Sequence, residues 1–191
     1  MCIRDRVEGC QDPAACNYNP DANVDSGDCD IWSCVCPDST GTAIQFYMFD
    51  SFGDGWNSAA YTVSDLDGNV VASGDLDGAA FSVDADNFTG PEFGYDLFCL
   101  ANGCYSIVVE GGFYPNEVSW EVRLEDGSVL ASDGPTDGVT ISIGGAVCGC
   151  TDTGACNYDE TATDDDGSCE FESCAGCTAV SYTHLTLPTK A

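Results

Sequence analysis

Through the middle of the chain, apolar and polar residues alternate with a period of two. Val118, Trp120, Val122 and Leu124 are interleaved with Ser119, Glu121 and Arg123, and Val139, Ile141 and Ile143 with Thr140 and Ser142. Tyr105, Ile107 and Val109 keep the same spacing. A period of two marks a half-buried strand. Residues 44–49 form a fuller apolar run, and residues 61–63 and 70–72 are shorter strands joined through Asp67-Gly68-Asn69, a hairpin-type turn. Residues 79–83 and 95–100 complete the set. No segment carries the 3.6-residue period of an amphipathic helix. Short strands punctuated by Gly, Asn and Asp predict an all-β fold, an antiparallel, jelly-roll-like β-sandwich over residues 37–148. An internal echo, DGNVVAS at 67–73 against DGSVLAS at 126–132, suggests two copies of one β unit, with residues 113–117 as the second copy's turn.

The flanks follow another pattern. GCQDPAACNYNPDANVDSGDC at 9–29 returns as GCTDTGACNYDETATDDDGSC at 149–169. Cys10, Cys16, Cys29 and Cys34 recur at Cys150, Cys156, Cys169 and Cys174 with the same spacing, and Asn17-Tyr18 recurs as Asn157-Tyr158. An internal repeat of this kind defines architecture. Cysteine-acid modules are therefore expected at 7–36 and 149–175, and Gly176-Cys177-Thr178 reads as the start of a third, cut short, in which Cys177 is left over. Units this small cannot build a sufficient core and need covalent staples. Asp12-Pro13 is a helix-start signal that predicts one turn over 14–16.

The two ends look foreign to the protein. MCIRDR at 1–6 translates the mosaic end of a transposase sequencing adapter, and VSYTHLTLPT, within 179–191, translates its opposite strand. Both are expected to be assembly artefact, and the chain a piece of a longer metagenomic reading frame. Cys2, Arg4, Arg6, His184 and Lys190 then carry no meaning, and Arg123 is the remaining cation.

Composition narrows the function. The chain holds 33 Asp and Glu against 4 Lys and Arg, for a formal charge of −29. Phosphate neutralisation needs cations, so nucleic acid and anionic membrane surfaces are disfavoured as partners. No apolar run is long enough to span a membrane. Dense cysteines in small units point to an oxidising compartment. Structural zinc fits less well, because C-x-C pairs outnumber C-x2-C and no native His is expected. Each module owns four cysteines for two bridges of undetermined connectivity. Cys99 and Cys104 flank Leu-Ala-Asn-Gly and are expected to clip a hairpin, and Cys36 and Cys148 to pin the ends of the middle domain.

Candidate chemistry is calcium. Asp21, Asn23 and Asp25 place oxygens at alternate positions before Gly27, partly like a calcium loop. In the second copy the acids bunch as Asp164, Asp165 and Asp166 before Gly167. The most pointed stretch is DSFGDGWN at 50–57. Asp50, Asp54 and Asn57 are candidate Ca2+ ligands among glycines that let oxygens converge. Phe52, Trp56 and Tyr114 are candidate flat faces for a sugar ring or a surface-protein ligand. Without a native His or Lys there is no nucleophilic triad, and no phosphate loop or dinucleotide fingerprint occurs. The chain is expected not to be an enzyme.

GCTDTGACNYDETATDDDGSC resembles the GCTDxxAxNYxxxAxxDDGSC repeats of large secreted proteins of marine bacteria and microalgae. DSFGDGWN, FCLANGCYSIVVEGG and NEVSWEV resemble the β domain that accompanies those repeats. DSGDC and DDGSC are distantly similar to thrombospondin type 3 calcium repeats, with different spacing. The resemblance implies a secreted or cell-surface, multi-domain setting and no particular activity. The sequence reading is thus a non-catalytic extracellular binding or adhesion segment, calcium-stabilised and glycan-directed. The alternatives are a disulfide-stapled spacer that presents another domain and an accessory domain of a secreted hydrolase.

Overall fold

In the computed structural model, which describes residues 6–37, 40–83 and 90–172, Gly41–Asp50 (β3) runs down the centre of a five-stranded antiparallel sheet. The other strands, in chain order, are Glu8–Gly9 (β1), Val24–Asp25 (β2), Ala59–Asp65 (β4), Val70–Gly74 (β5), Phe81–Val83 (β6), Phe93–Ala101 (β7), Gly103–Gly111 (β8), Val118–Arg123 (β9), Val129–Asp133 (β10), Thr136–Ile143 (β11), Cys148–Gly149 (β12) and Asp164–Asp165 (β13). The five-stranded sheet has the order β10-β9-β3-β7-β6, and a four-stranded sheet the order β11-β8-β4-β5. Among the described residues no helix forms. The expected all-β, disulfide-rich fold is what the chain adopts.

The alternating residues do what their period demands. Ile44, Phe46 and Met48 of β3, Val118, Trp120 and Val122 of β9, Tyr61 and Val63 of β4, and Ile107 and Val109 of β8 meet in one core between the sheets. Phe46 is at its centre, stacked on Tyr61 at 3.9 Å and on Trp120 at 5.5 Å. Such aromatic pairs contribute about 0.5–1.5 kcal/mol each beyond the area they bury.

One β unit is used twice. β3, β4, β5 and β7 of the first half correspond to β8, β9, β10 and β11 of the second. The leading strand of each half pairs with the second strand of the other, β3 with β9 and β8 with β4. Each leading strand also pairs with the last strand of its own half, β3 with β7 and β8 with β11. The echoed turns are the same turn: Gly68 donates to Asp65 O at 3.0 Å and Gly127 to Leu124 O at 2.9 Å. Both glycines have left-handed φ, 83° and 81°, which any side chain would resist.

The cysteine modules are also one structure made twice. In each, a two-residue parallel ladder forms, β1 with β2 and β12 with β13, and Cys10 bridges Tyr18 as Cys150 bridges Tyr158. The repeated asparagine is the clamp. Asn17 Nδ2 donates to Asp28 O at 2.6 Å while its Oδ1 accepts the Asp30 amide at 2.9 Å. Asn157 makes the same pair of bonds with Ser168 O and the Glu170 amide. The turn after Asp12-Pro13 closes through Asp12 Oδ1, which accepts the Ala14 amide, but it does not grow into a helix. Disulfides join Cys10 to Cys29, Cys16 to Cys34, and Cys150 to Cys169. Cys156 is also disulfide-bonded. Cys174, the expected start of a third module at 176–178, and residues 1–5 and 179–191 of the ends expected to be artefact lie outside the described residues.

The expected pairings of the middle domain are corrected. Cys36 bonds Cys99, and Cys104 bonds Cys148. Leu-Ala-Asn-Gly is not a hairpin turn, because β7 belongs to the five-stranded sheet and β8 to the four-stranded one. Leu100 on β7 and Tyr105 on β8 face the core, so their neighbours Cys99 and Cys104 point out of opposite faces of the sandwich. Sheets packed about 10 Å apart keep those two sulfurs out of reach. Each instead takes the cysteine of the chain that passes its own face.

Candidate functional site

The arch after β3 is built around a buried carboxylate. Asp50 is 2% exposed. Its Oδ2 accepts the amides of Gly53, Asp54 and Gly55 at 2.9, 2.7 and 2.9 Å, and its Oδ1 accepts that of Phe52 at 3.2 Å. Four converging N–H groups compensate the burial of a charge that would otherwise be prohibitive. Gly55 is required by its φ of 86°, and a Cβ there would also displace the Asp77 carboxylate. Asn57 and Ser58 hold φ of 51° and 76°, uncommon for residues with side chains. Asn57 is held there by its Nδ2, which donates to Asp54 Oδ1 at 2.7 Å and Gly55 O at 2.8 Å.

The arch of the second half joins it. The Ser51 amide donates to Glu117 O at 3.1 Å, and Asp50, Asp54 and Glu117 can each bring a carboxylate oxygen within 4.8 Å of the others. Among the described residues this is the one such grouping of three or more acidic, His or Cys side chains. Partial desolvation, then Asp50 and Asp54, push the Glu117 carboxyl up from its ordinary value. Burial, then Asp75, Asp50 and Asp54, do the same to Asp77. Asp54, Glu117 and the less engaged Oδ1 of Asp50 are the oxygens this cluster can offer a cation.

The other calcium candidates are not gathered in this way. Asp164, Asp165 and Asp166 do not converge; they are engaged singly, with the Thr163 hydroxyl, the Gly167 amide and the Ser168 amide. Asp25 Oδ1 accepts the Gly27 amide, Asn23 Oδ1 accepts the Val7 amide, and Asp21 is exposed. Asp25, Asp165 and Asp166 cap turns.

Trp56 corrects an expectation. It is 1% exposed, and its Nε1 donates to Phe49 O at 2.9 Å, so its ring belongs to the core rather than to a ligand face. Phe52 and Tyr114 are exposed, at 57% and 55%, on the two neighbouring arches, and Phe113 beside Tyr114 is exposed at 79%.

A second aromatic surface lies on the outer face of the five-stranded sheet. Register sets Tyr47 beside Tyr95 and Phe49 beside Phe93. Tyr47 and Tyr95 have ring centroids 5.3 Å apart, Phe49 and Phe93 6.4 Å, and Tyr47 and Phe49 6.0 Å. The Arg123 guanidinium lies 4.4 Å over the Tyr47 ring and is hydrogen-bonded to Glu121. Where this face meets the arch there is a depression of about 420 Å³, lined by Phe49, Asp50, Ser51, Glu92, Phe93 and Ser119. Sequence reading took 44–49 as one apolar run and so missed this surface. The signal was present in the aromatics at alternate positions, Tyr47 and Phe49 against Phe93 and Tyr95, on the side of each strand away from the core.

Five disulfides with placed partners require an oxidising environment for their formation. No helix is long and apolar enough to cross a membrane. Compared with protein-family models, with curated proteins and with solved structures, the chain matches none.

Proposed function

We propose that this chain is a non-catalytic, glycan-binding adhesion segment of a larger secreted or cell-surface protein. The observation that carries the reading is the depression floored by Phe49 and Phe93. A sugar ring has one flat C–H face and a rim of hydroxyls. Stacked aromatic rings suit the first, and Ser51, Glu92 and Ser119, which also line the depression, suit the second. The density of acid favours a neutral glycan over an anionic one. The exposed Phe52 and Tyr114 on the adjoining arches extend the apolar surface. The similarity to repeats of secreted proteins and the disulfides agree with an extracellular setting.

Calcium has a supporting place in this reading. Bound by Asp54, Glu117 and Asp50 Oδ1, it would tie the two arches and offset the repulsion from Asp50 and Asp54 that adds to desolvation in raising Glu117. Ca2+ binds through six to eight oxygens, so carbonyls and water would complete the shell. The test is a screen of neutral glycans with and without calcium, followed by Phe93→Ala and Phe49→Ala. Binding that falls at least tenfold in both variants, at unchanged melting temperature, is the expected result. Failure to bind any glycan, or binding only to a protein partner, overturns it.

The raised carboxyls of Asp77 and Glu117 favour a second reading, as a hydrolase accessory or glycosidase site. Against it, both oxygens of Asp50 are engaged by amides, and Asp77 is not among the acids gathered with Glu117. Release of product from chromogenic glycosides would decide for it.

A further inference from the structure

We propose that the segment carries tension from one cysteine module to the other along a covalent path that leaves out nearly all of both sheets. The path is set by which cysteines are joined. A pull that enters at Cys10 divides between two routes, one across to Cys29 and along the backbone to Cys36, the other along the backbone to Cys16 and across to Cys34. From Cys36 it crosses to Cys99, follows the backbone to Cys104, and crosses again to Cys148. From Cys150 it crosses to Cys169. Residues 37–98 and 105–147, which hold the sandwich, hang outside that path as closed loops. β3, β4, β5, β6, β9, β10 and β11 lie wholly within the loops. Load touches the sandwich only where residues 99–104 pass from one sheet to the other.

The fold makes this wiring possible. Gly41, at the start of β3, lies opposite Ala101, and Ile143, at the end of β11, lies opposite Gly103. The chain therefore enters and leaves the sandwich at the same end, beside the 99–104 crossing. The arches lie at the other end, where Phe49 meets Phe93 and Asp50 meets Val118. A β3 of 10 residues puts about 30 Å between the loaded end and the arches. The outward-pointing Cys99 and Cys104 each tie one module at the loaded end.

The consequence is mechanical. Forced unfolding of a domain is governed by its unfolding rate under load. A domain outside the load path feels none of that acceleration. The aromatic face stays folded while the protein that bears it is pulled. This rests on the reading of the chain as a segment of a larger surface protein, but its test involves no glycan, so either can fail alone.

Single tethered molecules of the full chain, with handles at the two termini, are to be stretched first oxidised and then after reductant is added to the same molecule. The oxidised chain should lengthen without any step of roughly 100 Å or more. Under load, reduction of each of the two sandwich disulfides in turn should release one long step. Opening the 63-residue separation of Cys36 and Cys99 yields roughly 200 Å, and the 44-residue separation of Cys104 and Cys148 roughly 150 Å. Because the oxidised and reduced traces come from one molecule, a difference between preparations cannot imitate the result. Before reductant is added, the doubly substituted Cys104→Ser, Cys148→Ser chain should show the shorter step alone. A step of roughly 350 Å in that variant would mean that Cys36 pairs with Cys148 and the crossing lies outside the path. Long steps in the oxidised chain, or none after reduction, overturn the proposal.

Discussion

Asp50 Oδ2 accepts the amide of Gly55 at 2.9 Å, the last of four amides that one buried carboxylate gathers from the arch that follows it. The side chain at the end of β3 thus folds the next turn of chain around itself. It also positions the floor of the proposed ligand site, since Asp50 lines the depression with Phe49 and Phe93. Asp50→Ala would strand buried N–H groups, at a cost of about 1–3 kcal/mol for each that water cannot reach. A loss of roughly 3 kcal/mol or more in denaturant unfolding is expected, with a drop in glycan affinity. A melting temperature unchanged by Asp50→Ala would show that the arch is held by other contacts.

Peptide mapping of the unreduced protein is expected to recover Cys36 linked to Cys99 and Cys104 linked to Cys148. Loop-closure entropy over the 63-residue separation makes the first of these worth roughly 4 kcal/mol. Cys36→Ser with Cys99→Ser should lower stability by about that amount. The 19-residue bridge of Cys10 to Cys29 should matter less to the sandwich, because it closes a loop within its own module.

Asn17 and Asn157 are expected to be equivalent. Asn17→Ala removes one bond given to Asp28 O and one accepted from the Asp30 amide, a loss of about 1–2 kcal/mol confined to the first module. Faster hydrogen exchange at the Asp30 amide, with the sandwich amides unchanged, is the readout. The same substitution at Asn157 should expose the Glu170 amide.

Asp77 gives a pH dependence of defined sign. Burial first, then neighbouring acids, hold its carboxyl above the ordinary aspartate value of 3.8 in the folded chain. The folded state therefore binds the proton more tightly than the unfolded state. The associated stability is fully present below pH 3.8 and is lost as pH rises through the folded-state value. Asp77→Asn should raise the melting temperature at pH 7 and leave it nearly unchanged at pH 3. A variant that melts lower than the parent at pH 7 would mean that the carboxylate serves Gly55 and its neighbours as an acceptor.

Much of this was legible in the residues. The period of two in 118–124 and 139–143 became β9 and β11, because a pleated strand with one face on a core has no other pattern. The echo of DGNVVAS in DGSVLAS became two equivalent hairpins that exchange strands between sheets. The repeated cysteines and Asn-Tyr pairs became two matching modules, since spacing and hydrogen-bond chemistry travel together in so short a unit. Asp50 and Gly55 stood out as a loop of acid and glycine, although the structure gives Asp50 amides to bind.

What sequence determined by itself was local: strand period, turn chemistry, module repeat and the oxidising setting. Those properties reside in neighbouring residues and survive without knowledge of the rest. What only the tertiary structure decided was relational. Trp56 is in the core and Phe49 on the surface because β3 ends where it does and turns its alternate residues outward. Cys99 and Cys104, close in sequence, cannot meet because they leave opposite faces of two packed sheets. Pairing partners, exposed faces and the path of a load depend on which strands come together across the chain, and the physical reason is that burial and reach are set in three dimensions while the period of a strand is set in one.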